Sequence, residues 1–260
     1  MIAFSRAPWP ILAALALHVA VAIGCAAALA LAPHARPILG LHPAVKPLKF
    51  AVSIAILLAS IAWVLAILDL DVRTKDALAW VLALTMIVEM VAIGVQALRG
   101  TTSHYNVGTS GDAMLWRTMG LAIVAALLAL VTIAGFATVR GLACSPLVAL
   151  GLRLGLWLVL LSAISGFAMA GAARHSVGGF DGGSGLPIAN WSSTHGDLRV
   201  SHFFALHGLQ ALPITAALLA RVPVLGDSAR RALVIGVAVL WLAITIATLA
   251  QALVGRPLRA

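Results

Sequence analysis

Residues 118–139 read TMGLAIVAALLALVTIAGFATV, an uncharged stretch bounded by Arg117 and Arg140. Crossing a hydrocarbon layer of about 30 Å takes about 20 apolar residues in a helix, and this stretch supplies them without a break. Six further runs do the same on either side of it. The full set is about 9–32, 50–69, 77–98, 115–138, 146–170, 200–220 and 231–254. Apolar residues cover every face of these runs, so they read as membrane spans rather than as surface helices with one greasy side. Backbone groups in lipid must satisfy one another, and helices do this within a single segment. The expectation is an all-α, polytopic transmembrane bundle of about seven spans, forming one integral membrane domain over 1–260.

Composition agrees. The 260 residues are 62% hydrophobic and only 10% charged, against about a quarter charged in water-soluble domains. This excludes a soluble enzyme, a disordered tail and a coiled coil. The net charge of +9 belongs to helix ends, where basic residues meet lipid phosphates; no basic run points to nucleic acid. Cys25 and Cys144 have no CxxC partner, so neither a zinc finger nor covalent haem attachment is indicated. Pro33 directly follows Ala30-Leu31-Ala32, which disfavours cleavage there, and the first segment is expected to be a retained helix.

Three connections stand out. Residues 33–49 carry His34, Arg36, His42, Lys46 and Lys49; residues 99–113 read RGTTSHYNVGTSGDA; residues 171–199 read GAARHSVGGFDGGSGLPIANWSSTHGDLR. With seven spans the connections alternate sides, which puts these three together, opposite the N-terminus. Seven of the eight histidines (all but His18) lie in them or just beneath. Function collects on loops held by a rigid scaffold, so this face is where a site is expected. Counted over both sides, including Arg256 and Arg259, the basic residues nearly balance. Setting aside Lys46, Lys49, Arg99 and Arg199 as site residues favours a cytoplasmic N-terminus in a bacterial inner membrane, with the polar face outward.

Inside the spans, Glu89 is the only glutamate in the chain. An ionisable group at that depth is costly and marks a functional candidate; the alternative is a carboxyl that locks helix packing. Thr85, Glu89 and Gln96 share one face of the third span, with Arg99 at its exit. The sixth span opens GDLRVSHFFALHGLQALP, where His207 and Gln210 share a face and His202 sits near the interface. Glu89, Gln96, His202, His207 and Gln210 are expected to line one polar cavity, or else to serve as interhelical hydrogen bonds. Pro213 leaves the Leu209 carbonyl without its helical donor, so a kink is expected there. Gly151-x-x-x-Gly155 is a small-residue face for close packing, and Trp9, Trp80 and Trp116 fit an interfacial belt.

His195 and Asp197 form a candidate acid–base pair, with Asp181, Ser184, Ser192 and Ser193 near enough in sequence to extend it. The candidate catalytic residues are Glu89, His207, His195 and Asp197. Gln96, Arg99, Asn106, Arg199, Gln210 and Lys46 are candidates for holding a small-molecule or lipid ligand. His104, His202 and His207 are candidate metal ligands, and His207 with His18 could instead hold a b-type haem. The cofactor stays open between haem, a divalent metal and none. Three functional classes follow: a haem- or metal-binding redox protein or enzyme, a proton-coupled transporter using Glu89 and His207, and a non-enzymatic scaffold or receptor.

Overall fold

A computed structural model describes residues 4–183, 185–187 and 189–258; Ser184 and Arg259 lie outside these. After a short 3-10 turn at Phe4–Arg6 the chain forms α1 (Trp9–Leu31), α2 (Val45–Ile67), α3 (Val72–Leu98), α4 (Ser110–Val139), α5 (Pro146–Leu160) and α6 (Ser162–Ala172). A two-stranded antiparallel hairpin follows, β1 (Ser176–Val177) with β2 (Gly196–Asp197), then α7 (Leu198–Leu219) and α8 (Asp227–Leu253). Among the described residues seven segments are long and apolar enough to cross a membrane, α5 and α6 together making the fifth. The all-α seven-span expectation holds.

The helices begin where side chains can take up their free N–H groups. Asp71 caps α3, accepting from the Thr74 amide at 2.9 Å and the Thr74 hydroxyl at 2.7 Å. Ser145 caps α5, with Pro146 in the first turn where its missing N–H costs nothing. Several helices start ahead of the apolar runs: α3 at Val72, α4 at Ser110 and α8 at Asp227 take in charged residues of the preceding connections. Helix α2 starts at Val45 rather than near 50, because its first turn contains Lys46 and Lys49, which interrupt the apolar run. The fifth span breaks at Leu161, whose amide bonds to Leu158 at 3.0 Å in a tightened turn. Pro213, by contrast, sits inside a continuous α7.

The chain folds as two compact units, Met1–Ile133 and Ala134–Ala260, with the division inside α4. In the first, α1, α2 and α3 pack together around α2 residues such as Ala51, Leu58, Ile61 and Leu65, all fully buried. His18 ties α1 to α3: its Nδ1 faces the Ala14 carbonyl at 2.7 Å and its Nε2 the Met86 carbonyl at 3.2 Å. For His18 to ligate a haem, one nitrogen would have to abandon its carbonyl.

In the second unit α7 is central, packing on α5, α6 and α8. The glycine face of α5 does what its spacing implies. A Cβ on Gly151 would lie 2.7 Å from the Leu212 carbonyl oxygen and one on Gly155 2.8 Å from that of Gly208, so the two backbones nearly touch. On the other side Trp241 Nε1 donates to the Phe204 carbonyl at 2.6 Å and the Ser201 hydroxyl to the Thr245 carbonyl at 3.1 Å. Arg153 reaches the carbonyls of Ala137 and Arg140 at the end of α4, supplying donors to a terminus that lacks them.

Candidate functional site

In the first unit the polar stripe of α3 is present and buried: Thr85, Glu89 and Gln96 are all enclosed. Two of the three are satisfied locally. The Thr85 hydroxyl donates to the carbonyls of Val81 and Leu82. Gln96 donates to Asp112 Oδ1 at 2.8 Å, while Arg99 Nη1 donates to that oxygen at 2.5 Å and to Gln96 Oε1 at 2.7 Å. Thr109 completes the knot, its hydroxyl donating to Asp112 Oδ2 and accepting from the Asp112 amide, a variant of the capping box that starts α4. Gln96 and Arg99 are thus engaged in closing the α3–α4 turn. Gly100, with φ +70°, ends α3 by the left-handed turn glycine permits. Asn106 also serves the turn, donating to Thr101 and Thr102 and accepting from the Gly108 amide.

Glu89 is different. It is 3% exposed, and among the described residues its Oε1 has no hydrogen-bond partner. Lys46, in the first turn of α2, is close enough for its charge to act on both Glu89 and His104. The Lys46 ammonium stands 6.0 Å from the centre of the Phe50 ring. Phe50 lies 5.2 Å from His104, which packs on Tyr105 at 5.9 Å and Trp116 at 5.5 Å; Tyr105 and Trp116 meet edge to face at 5.1 Å. Phe50 and Trp116 also pack on the core cluster that contains Met90 and Ile93 of α3. Burial, with the Lys46 charge adding to it, holds the His104 imidazole down to about 3, so the ring is neutral at ordinary pH. Its Nδ1 lies 3.1 Å from the Ser103 hydroxyl.

Phe50, Tyr105, Asp112 and Thr109 do not stand out in the sequence, and Trp116 reads there only as part of the interfacial belt. A signal exists for two of them: Thr109-x-x-Asp112 has capping spacing just ahead of an apolar run. The ring cluster joins residues far apart in sequence and has no local signature.

In the second unit the carboxylate of Asp197 turns to Arg199 and His175, not to His195. Arg199 donates from Nε at 2.9 Å and from Nη2 at 2.6 Å, and His175 Nδ1 lies 3.7 Å away. The Ser192 amide adds a bond at 2.8 Å. Burial opposes ionisation of Asp197, but the Arg199 hydrogen bonds and charge, the Ser192 amide and His175 outweigh it, and the carboxyl is held below its usual range. Asp181 accepts from the amides of His175 and Ser176. His195 has its own neighbours: its amide donates to Ser192 Oγ and its Nδ1 lies 2.8 Å from the Thr194 hydroxyl. The glycines of this loop serve close approach. Gly179 lies flat against the His195 ring, and Gly196 against the Ala252 carbonyl at the end of α8, places where a Cβ would collide.

His202 Nδ1 meets the Ser162 carbonyl at 3.0 Å and the Ser165 hydroxyl at 3.3 Å, stitching α7 to the break in the fifth span. His207 packs against Phe203 with ring centres 4.2 Å apart and planes tilted by 51°, and Gln210 is hydrogen-bonded to its ring. Among the described residues no three His, Cys, Asp or Glu side chains come together as a metal site.

These features define a multi-pass integral membrane protein of helical architecture. Comparison of the chain with family models, with curated proteins and with solved structures gave no match.

Proposed function

We propose that the protein is a proton-coupled membrane transporter in which Glu89 binds and releases the coupling proton. One observation carries this reading: the buried Glu89 Oε1, which lacks a donor among the described residues. Leaving a carboxyl oxygen unpaired away from water costs about 1–3 kcal/mol or more, and in a span such a group marks a proton or substrate path. A group that receives its partner only during part of a working cycle accounts for that cost. The neighbouring Lys46 supplies a charge against which protonated and ionised Glu89 differ in energy. A metal-centred reading has less support, because among the described residues no three His, Cys, Asp or Glu side chains come together. In the same reading the N-terminus is cytoplasmic in a bacterial cell and the loops carrying Lys46 and His104 face outward.

The test combines infrared difference spectra with flux. Spectra of the reconstituted protein at high and low pH are expected to show a protonated-carboxyl band that is missing in Glu89→Gln. Vesicles carrying an imposed proton gradient are expected to lose it when a transported solute is added, and to keep it with the variant. Identical spectra from both proteins, or solute-driven proton flux unchanged in Glu89→Gln, would overturn the reading.

A further inference from the structure

The proposal above leaves the solute unnamed, and the surroundings of Glu89 narrow it. Three features of the first unit bear on it. The Lys46 ammonium stands 6.0 Å from the Phe50 ring. That ring continues into a cluster with His104, Tyr105 and Trp116. The third feature is the buried Glu89 carboxyl, one oxygen of which has no hydrogen-bond partner among the described residues. The Lys46 charge reaches it, and it shares a face of α3 with Ile93, whose cluster Phe50 and Trp116 cover. Aromatic faces beside a carboxylate are the donor set that recognises an ammonium or other organic cation, through the ring quadrupole and the opposite charge. Lys46 is a primary ammonium on a flexible four-carbon stem at a helix end, a stem long enough to swing outward toward headgroups. It stands where such a ligand would stand.

We propose that Glu89 and the Phe50–His104–Tyr105–Trp116 cluster form a binding site for an organic cation, and that Lys46 is a tethered ammonium which the ligand displaces. The inference rests on the proton-exchange reading and names its solute class: cation and proton compete for one carboxylate. The neutral state of His104 suits this role, since a second fixed positive charge would repel the ligand.

The experiment is equilibrium binding of tritiated tetraphenylphosphonium to the purified full-length protein, with tetraphenylborate as the anionic control. Saturable binding of the cation is expected, unaffected by the anion. Glu89→Gln is expected to weaken it by about tenfold or more, whereas Lys46→Met, which removes the resident competitor, is expected to tighten it severalfold. Absence of saturable binding in both the wild type and Lys46→Met overturns the proposal, as does undiminished binding by Glu89→Gln or equal competition by tetraphenylborate. If Glu89→Gln fails to give a monodisperse helical protein, Lys46→Met decides: tighter binding supports the site, and unchanged or weaker binding overturns it. Failure here is separable from failure of the parent reading. A pH-dependent Glu89 band without cation binding rejects only the solute class, and cation binding without that band rejects only the proton role.

Discussion

Gly155 of α5 lies directly against the main chain of Gly208 in α7, so close that a Cβ on Gly155 would fall 2.8 Å from the Gly208 carbonyl oxygen. The obstacle is backbone, which cannot rotate aside. Gly155→Ala is therefore expected to push the two helices apart, at a cost of about 1–3 kcal/mol. Thermal unfolding in detergent should show a lower midpoint for Gly155→Ala and an unchanged one for Gly120→Ala, where the added methyl meets nothing. Equal midpoints for wild type and Gly155→Ala would remove backbone contact as the basis of this pairing.

Asp112 is the acceptor shared by Gln96, Arg99 and Thr109. Asp112→Ala strands the buried Gln96 amide and removes the hydrogen bonds that Gln96, Arg99 and Thr109 share. Faster proteolytic nicking within residues 99–109 is expected, with Asp112→Asn intermediate. A loop as resistant as that of the wild type would show that the knot does not hold the turn.

Acid should open the ring cluster. His104 is held down to about 3 when folded, against an ordinary value near 6.5. Between these limits the opened loop binds a proton that the folded one refuses, so loop stability falls as pH drops from about 6.5 toward 3 and is constant above that window. Amide exchange across 99–109 is the measurement. It should accelerate with acid in the wild type beyond the intrinsic chemical rate, and His104→Phe should abolish that excess. An equal acid response in both would assign it to another group.

Asp197 works in a lower range. Its folded carboxyl is held below the usual value, so its contribution is complete above about pH 4, the ordinary value for aspartate, and is lost as pH falls through the folded one. Asp197→Ala leaves Arg199 without its buried partner, a change costing about 3–5 kcal/mol, and is expected to release the hairpin. His195→Ala should be far milder, since Asp197 faces Arg199 and His175 instead. Exchange protection of the Ser176 and Leu198 amides, measured in both variants, distinguishes them; comparable losses would restore His195 to the network.

How much of the fold and site is legible in the sequence follows the range of each interaction. The spans are readable because hydrophobicity is summed along a local window, and Glu89 because one carboxylate in such a window has no neighbours to hide among. The start of α2 falls five residues earlier than the apolar run, since Lys46 and Lys49 look like loop to the same window. The break at Leu161 carries no proline or glycine at the site itself; its repair by His202 comes from another helix. Adjacency in sequence suggests His195 with Asp197, whereas antiparallel pairing of β1 with β2 sets Ser176 opposite Asp197 and brings His175, twenty-two positions away, to the carboxylate. The ring cluster around His104 draws on α2, the α3–α4 turn and α4, and only folding assembles it.

That cluster contains the sole tyrosine of the chain. Isotope labelling of tyrosine alone would therefore place one resonance in the whole protein, and it would sit on the wall of the proposed cation site. Each conformation of that wall would give its own line, making Tyr105 an internal gauge of occupancy that needs no attached probe and reads any solute that enters.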